Sequence, residues 1–163
     1  MADRESLLAD LDAARDAFHE ALTEVDAQLV TAPGVVGDWS VRDLVVHVAA
    51  WDQHGAGALE LARSGRGAEF AYSTTDTDAE NDRIEAEALR TSPSEALARE
   101  ERAFADFRAA VATLEPALLG QVLGNGDSVE AVIRYDGPDH YAEHTEHIRT
   151  WFGVDEADAD DES

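Results

Sequence analysis

Apolar residues recur at steps of three and four along most of this chain, a period that admits few folds. Leu7, Leu8, Leu11, Ala14, Phe18, Leu22, Val25 and Leu29 line one side of a helix predicted over about Arg4 to Val30. Thr31-Ala-Pro-Gly34 stops it. Asp38 or Ser40 can open the next helix, with Asp43 three residues after Ser40 in capping-box style. Val41, Leu44, Val45 and Val48 form the apolar arc of that helix, which runs to about Arg63. His47 and Trp51 lie on one border of the arc, and His54 falls farther toward the polar side. Residues 64–75 read as a loop long enough to rim a pocket.

A third helix is predicted from near Thr77, and Thr91-Ser-Pro-Ser94 interrupts it. There Ser92 can cap and Pro93 suits a first helical position. The following helix turns Leu97, Phe104, Phe107, Val111 and Leu114 inward and ends at Glu115-Pro116. After a glycine-containing loop over 120–128, a last helical stretch begins at Val129. Gly137-Pro138 kinks or restarts it, and it continues to Trp151. Trp39, Trp51 and Trp151 are expected to pack the core, with Trp51 also a candidate for lining a pocket. No segment alternates with the two-residue period of a strand. The pattern predicts an all-α antiparallel four-helix bundle, one domain over residues 1–153. Residues 154–163 are almost all acidic or small and are predicted to form a disordered tail.

The charge balance excludes several partners. Thirty-six acidic residues face 12 basic ones, a net charge of −24, and every basic residue is Arg. Such a chain is repelled by nucleic acid and by anionic lipid. Salt adaptation explains both the acidic excess and the missing Lys, because about 1 M salt shortens the Debye length to about 3 Å and screens the self-repulsion. A GC-rich genome also favours Arg over Lys but does not require so much Asp and Glu. No apolar run approaches the roughly 18 residues that cross a bilayer, and the first residues show no secretory pattern, so a cytoplasmic location is expected. The chain has no cysteine. Any thiol chemistry must therefore use a thiol brought by a small molecule.

Three of the six histidines, His140, His144 and His147, share one helical stripe near the end. Imidazole is the commonest protein ligand for transition metals, so the stripe suggests a metal site. His140 and His144 can reach one ion together; His147 lies a further turn on. His19, between Phe18 and Glu20, reads as a surface residue. Carboxylates are so abundant that no pair of them signals acid–base chemistry.

Two stretches resemble a known superfamily. Trp39-Ser-Val-Arg-Asp-Leu-Val-Val-His-Val-Ala-Ala-Trp51 is similar to the second-helix motif of the DinB-like proteins, and His140-Tyr-Ala-Glu-His144 with Ile148 is similar to their last-helix motif. Asp78-Ala-Glu-Asn81 and Ile148-Arg-Thr-Trp-Phe152 resemble the border between the ClbS/DfsB-type and the maleylpyruvate-isomerase N-terminal-like members. The resemblance spans about residues 5 to 153. It implies a divalent metal, Zn or Ni, held by His47, His140 and His144 in the bundle core, with positions open to water or substrate. It also implies, for some members, a low-molecular-weight thiol cofactor.

Three neutral imidazoles with one position left open are the pattern of a catalytic zinc site. His147 stands where many relatives carry Gln or Asn; it adds a ligand, a proton shuttle, or nothing. Glu143 orients a ligand or acts as a base, unless it is one more solvated carboxylate. Asn81 and Trp51 are the substrate-binding candidates. Two readings follow. One is a metal-dependent thiol transferase, isomerase or hydrolase acting on a small electrophile. The other is a non-catalytic metal-binding or stress-response bundle, a homodimer being one state it could adopt.

Overall fold

The computed structural model describes residues 2–153; the acidic tail predicted over 154–163 lies outside the described residues. Six α-helices follow one another: α1 (Arg4–Thr23), α2 (Val41–Arg63), α3 (Thr74–Ala88), α4 (Pro93–Ala112), α5 (Val129–Asp136) and α6 (Pro138–Phe152). Short 3₁₀ turns occupy Ala27–Leu29, Gly67–Glu69 and Pro116–Gly120. Among the described residues there is no strand, only two isolated bridges, Val36 to Trp39 and Val122 to Ser128. The fold is all-α, as the periodicity predicts.

Side-chain caps set most helix starts. Asp3, Ser40, Ser73, Ser92 and Ser128 each accept a backbone N–H from the first turn of the helix they precede. Ser40 with Asp43 and Ser73 with Asp76 form complete capping boxes. The second box starts α3 at Thr74, earlier than the expected Thr77. Helix α1 ends at Thr23, short of the predicted Val30. Asp26 accepts the N–H of Gln28 and diverts the chain into a 3₁₀ turn, a local bond that competes with helix continuation.

Four long elements make the bundle: α1, α2, α4 and the α5–α6 pair, with α3 packed on α2. Their directions follow from the contacts. Asp12 and Arg15 of α1 meet Arg108 and Glu100 of α4, so these two run oppositely. In α2, His47 faces His140 and His54 faces Asp136, so α2 opposes the α5–α6 pair. Gly55 and Arg63 of α2 lie against Phe107 and Thr113 of α4, so α2 and α4 run the same way. Helix α3 makes this possible by carrying the chain back between them.

The core takes Leu7, Leu11 and Phe18 from α1, Leu44, Val48 and Leu59 from α2, and Phe107 and Val111 from α4. Val132 and Ile133 of α5 and Ile148 of α6 complete it. Three residues expected to face inward lie outside: Leu29, in the 3₁₀ turn beyond the end of α1, is 44% exposed, and Leu97 and Trp151 join it. Leu97 is 45% exposed, because the buried arc of α4 runs through Ala96, Glu100, Ala103, Phe104 and Phe107 and leaves Leu97 one position off it. Trp151 is 53% exposed. Its ring lies over Gly34, where an added Cβ would stand 2.9 Å from the indole and the φ of +118° also favours glycine. At Gly137 the helix breaks and restarts on Pro138. A Cβ there would stand 2.6 Å from the Ile133 carbonyl and 3.0 Å from Phe107.

One buried polar cluster ties all four long elements together. Glu100 of α4 is fully buried and takes a bidentate bond from Arg15 of α1, at 2.8 and 3.0 Å. His19 of α1 lies 2.9 Å from the same carboxylate. His19 is therefore not a free surface residue. The Tyr141 hydroxyl of α6 lies 2.8 Å from Glu100 and 2.5 Å from Asp52 of α2. One hydroxyl has one proton, so the two carboxyl groups cannot both be acceptors. Burial holds Asp52 well above the usual carboxylate range. The Tyr141 proton can serve only one of them at a time, and of the two Asp52 is the carboxyl that burial makes easier to protonate. Burial pushes Glu100 up, but His19, Arg15 and Tyr141 outweigh it and bring it down to about 2.

The sign of the resulting pH effect is clear. A carboxylate whose folded pKa is depressed contributes its stability above the unfolded value and loses it as pH falls toward the folded one. Glu100→Gln is expected to destabilise the protein by about 3 kcal/mol near neutral pH, because it breaks a buried ion pair. In urea unfolding the wild-type advantage is full above pH 4.5 and shrinks as pH falls toward about 2. An advantage that does not change with pH would contradict this assignment.

Candidate metal centre

Because α2 and α6 run oppositely, the histidine that follows the capped start of α2 meets the first turns of α6. His47 Nε2 lies 2.8 Å from His140 Nε2, and His144 Nε2 lies 3.0 Å from the same atom. Their candidate ligand nitrogens all fall within 4.8 Å of one another. His47 and His144 are buried and His140 is half-buried. Trp39 covers His47 edge-on, with centroids 4.6 Å apart, and Trp51 stands 6.4 Å away.

His140 Nε2 faces two other Nε2 atoms, so hydrogen bonding can serve both contacts only through one shared proton. One ion held by the three lone pairs fits the same convergence. A tetrahedral ion with about 2.05 Å Zn–N bonds would hold them roughly 3.3 Å apart, close to the distances seen. The protonation states suit the same role. Burial lowers His47 to about 2, helped by His140 and His144; burial lowers His140 to about 4; burial, with His140 and His147, lowers His144 to about 3. All three stay neutral at physiological pH, the form that binds metal. Only His144 has its other nitrogen engaged, by His147 Nδ1 at 3.2 Å; His47 Nδ1 and His140 Nδ1 are buried without partners. Packing, more than hydrogen bonding, orients those two rings.

The cluster forms one wall of a cavity of about 510 Å³, a size suited to a small molecule. Trp51 and Asn81 both line it, joined by a bond from Trp51 Nε1 to Asn81 Oδ1 of 3.0 Å. That bond brings α3 over the cavity. Glu143 also lines it and is exposed. His147 does not line it. It faces a neighbouring groove with Glu143, Glu146 and Trp151, and touches the cluster only through His144.

The sequence reading passed over two groups of lining residues. Asn125, Asp127 and Tyr135 come from the glycine-containing loop and α5; the Tyr135 hydroxyl and the Asn125 amide both lie on Asp127, at 3.2 and 3.0 Å. The second group is His54 with Asp136, Nδ1 to Oδ2 at 2.7 Å. His54 sits seven residues after His47, and seven residues are almost two full turns. That spacing placed the two on nearly the same line of α2 and was the signal available. No lining residue is Arg.

The model of the mycothiol maleylpyruvate isomerase N-terminal domain matches residues 11–147. The chain belongs to that family. The chain is similar in structure to an uncharacterised protein from Escherichia coli UTI89, with a TM-score of 0.80 at 14% identity over 96% of each chain. It is also similar to the colibactin self-resistance protein ClbS, solved in complex with a dsDNA, with a TM-score of 0.78 at 15% identity over 92% of this chain and 95% of that one. At these identities the likeness shows the DinB-like helical fold alone. No curated protein matches the sequence.

The buried imidazoles give a titration that can be checked. In the metal-free protein the ring proton shifts of His47, His140 and His144 are expected to stay flat from pH 8 to about 5 in NMR. The unfolded chain takes up protons below its ordinary value of 6.5, so these residues favour unfolding as pH falls from there. Titration of any of the three near 6.5 would mean that its ring is not enclosed as described.

Proposed function

We propose that this family member is a metal-dependent enzyme that activates a small thiol, or water, against a small electrophilic metabolite or toxin. The observation that carries the reading is the convergence of three Nε2 atoms on one wall of a cavity large enough for both reactants. His47, His140 and His144 are the proposed ligands of a divalent ion, Zn or Ni. Bound there with a position open, such an ion would lower the pKa of a thiol or water and polarise a carbonyl.

The other residues supply binding. Trp39 and Trp51 offer apolar faces, and Asn81 offers an amide beside them. His144 is held from behind by His147, which we assign a positioning role rather than ligation. Glu143, exposed at the cavity margin, is a binding group at most. The absence of cysteine favours an external thiol, and the mycothiol in the family's description is the chemical class to try first. A duplex partner is disfavoured by the net charge of −24, whatever ClbS is bound to. No helix among the described residues is long and apolar enough to cross a membrane.

Purified without a histidine tag, the protein is expected to hold about one equivalent of Zn or Ni. The ion at 100 times its Kd should add about 2.7 kcal/mol of stability. His144→Ala should lose both the ion and any metal-dependent conjugation or isomerisation across a panel of mycothiol, bacillithiol or glutathione with electrophiles. Metal binding without turnover on the whole panel would instead favour the non-catalytic metal-binding bundle.

Salt adaptation is proposed on charge alone. The expected outcome is a melting temperature that rises steadily as KCl increases toward about 1 M, where the Debye length is about 3 Å. A melting temperature indifferent to KCl would refute it.

A further inference from the structure

We propose that His54 and Asp136 form the proton-accepting dyad of the cavity, with His54 as the catalytic base and Asp136 as the residue that positions it. The proposal rests on the enzymatic reading above and extends it, since neither residue belongs to the three-histidine cluster.

Asp136, at the end of α5, is 3% exposed. Among the described residues its side chain bonds to His54 alone, at 2.7 Å. Burial raises Asp136, and the His54 contact works against that rise; as a carboxylate it can only accept, which puts the ring proton on Nδ1 and the lone pair on Nε2. That Nε2 is buried with no hydrogen-bond partner. Leaving such an atom bare is unfavourable, and a cavity wall is where a ligand group can satisfy it. The ring is held by Tyr72, Trp51 and Phe70, with centroids 4.4, 4.8 and 5.1 Å away. An ion pair that served only to join α2 to α5 would not require the second nitrogen to be kept free beside the cavity.

Acidic and aromatic groups face the ring. Asp136 faces it from α5, Glu80 interacts with it from α3, and Tyr72 lies against it from the segment before α3. No Arg is among the cavity residues. Tyr72 covers the ring from the cavity margin, with a single side-chain bond from its hydroxyl to the Asp76 carbonyl at 3.3 Å.

The step itself balances. The S–H bond of a thiol, or an O–H bond of water, breaks with its electron pair kept on sulfur or oxygen. The proton passes to His54 Nε2, and the imidazolium is stabilised by the Asp136 carboxylate. The freed pair forms the bond to the electrophilic carbon; in an addition the proton returns to the atom that gains the electron pair, in a substitution on a chloroarene the C–Cl bond breaks and the proton leaves with chloride, and either way the dyad is restored.

The test uses the full-length, Zn-loaded protein with His54→Gln and Asp136→Asn variants. Zn affinity, read by competition with a chromophoric chelator, should stay within about twofold of wild type for both. With mycothiol and 1-chloro-2,4-dinitrobenzene as probes, His54→Gln should lower kcat about 100-fold with little change in KM, within the range general-base removal costs. The acidic limb of the kcat/KM profile should disappear with it. Asp136→Asn should lower kcat at least tenfold. A loss below threefold in the metal-loaded His54→Gln protein overturns the proposal. If the wild type has no metal-dependent turnover, the enzymatic reading fails, and ¹⁵N ring NMR of the wild type between pH 6 and 8 decides the dyad. His54 protonated at Nδ1 with a bare Nε2 supports it; a proton on Nε2 overturns it.

Discussion

The interaction on which this bundle depends is the buried carboxylate of Glu100. It is held by Arg15 and His19 from α1 and by Tyr141 from α6, and through Tyr141 it reaches Asp52 on α2. Apolar side chains pack the same interior, but oily contacts tolerate a slide of one helix along another. A hydrogen-bonded charge does not, because any slip leaves a buried ion without partners. The consequence for the site is direct. Tyr141 is the neighbour of His140 on α6, and Asp52 lies five residues from His47 on α2. Setting the Tyr141–Asp52 contact therefore sets the distance at which His47 meets His140 and His144.

The protonation states of the interior divide along the same line. Burial raises Glu100, but His19, Arg15 and Tyr141 outweigh it and hold that carboxyl down, whereas burial holds Asp52, one hydroxyl away, well above the usual carboxylate range. A single tyrosine hydroxyl lies between the two. The three cavity imidazoles are neutral for the same reason, desolvation. A chain of net charge −24 thus gives each of its buried carboxyl groups, Asp43, Asp52, Glu100 and Asp136, a hydrogen-bond partner.

Much of this was legible in the chain. The helix period, the Ser40–Asp43 box and Ser92-Pro93 identify the helices, because these signals act within one turn and tertiary contacts reinforce them. His140 and His144 are legible by spacing, and His47 by likeness to a motif. What escaped has a common cause. His19, His54 and Asp136 owe their roles to partners 81 and 82 residues away. On a chain with 36 acidic residues, no local pattern tells which carboxylate will be buried. Leu97 and Trp151 failed in the opposite sense: each matches an apolar period, but its face of the helix meets no neighbour deep enough to cover it.

Helix α2 shows why the structural and chemical parts cannot be separated. Its 47, 51 and 54 positions lie within about 60° of one another and face the cavity, since four residues advance the helix by about 40° and seven by about −20° from a starting point. Asp52 is turned about 140° from His47 by the same rule, toward α4 and α6. One helix thus presents a candidate ligand, an aromatic wall and a candidate base on one side, and an anchoring acid on the other. The α5–α6 pair mirrors it, with Asp136 against His54, His140 and His144 against His47, and Tyr141 against Asp52. The break at Gly137 lets both halves serve. A continuous helix would put Asp136 four residues before His140 on one straight face. The restart instead lets Asp136 and His140 each take its own partner on α2, seven residues apart, so the positions of the base and of the metal ligands are set by one glycine that Phe107 and the Ile133 carbonyl leave no room to replace.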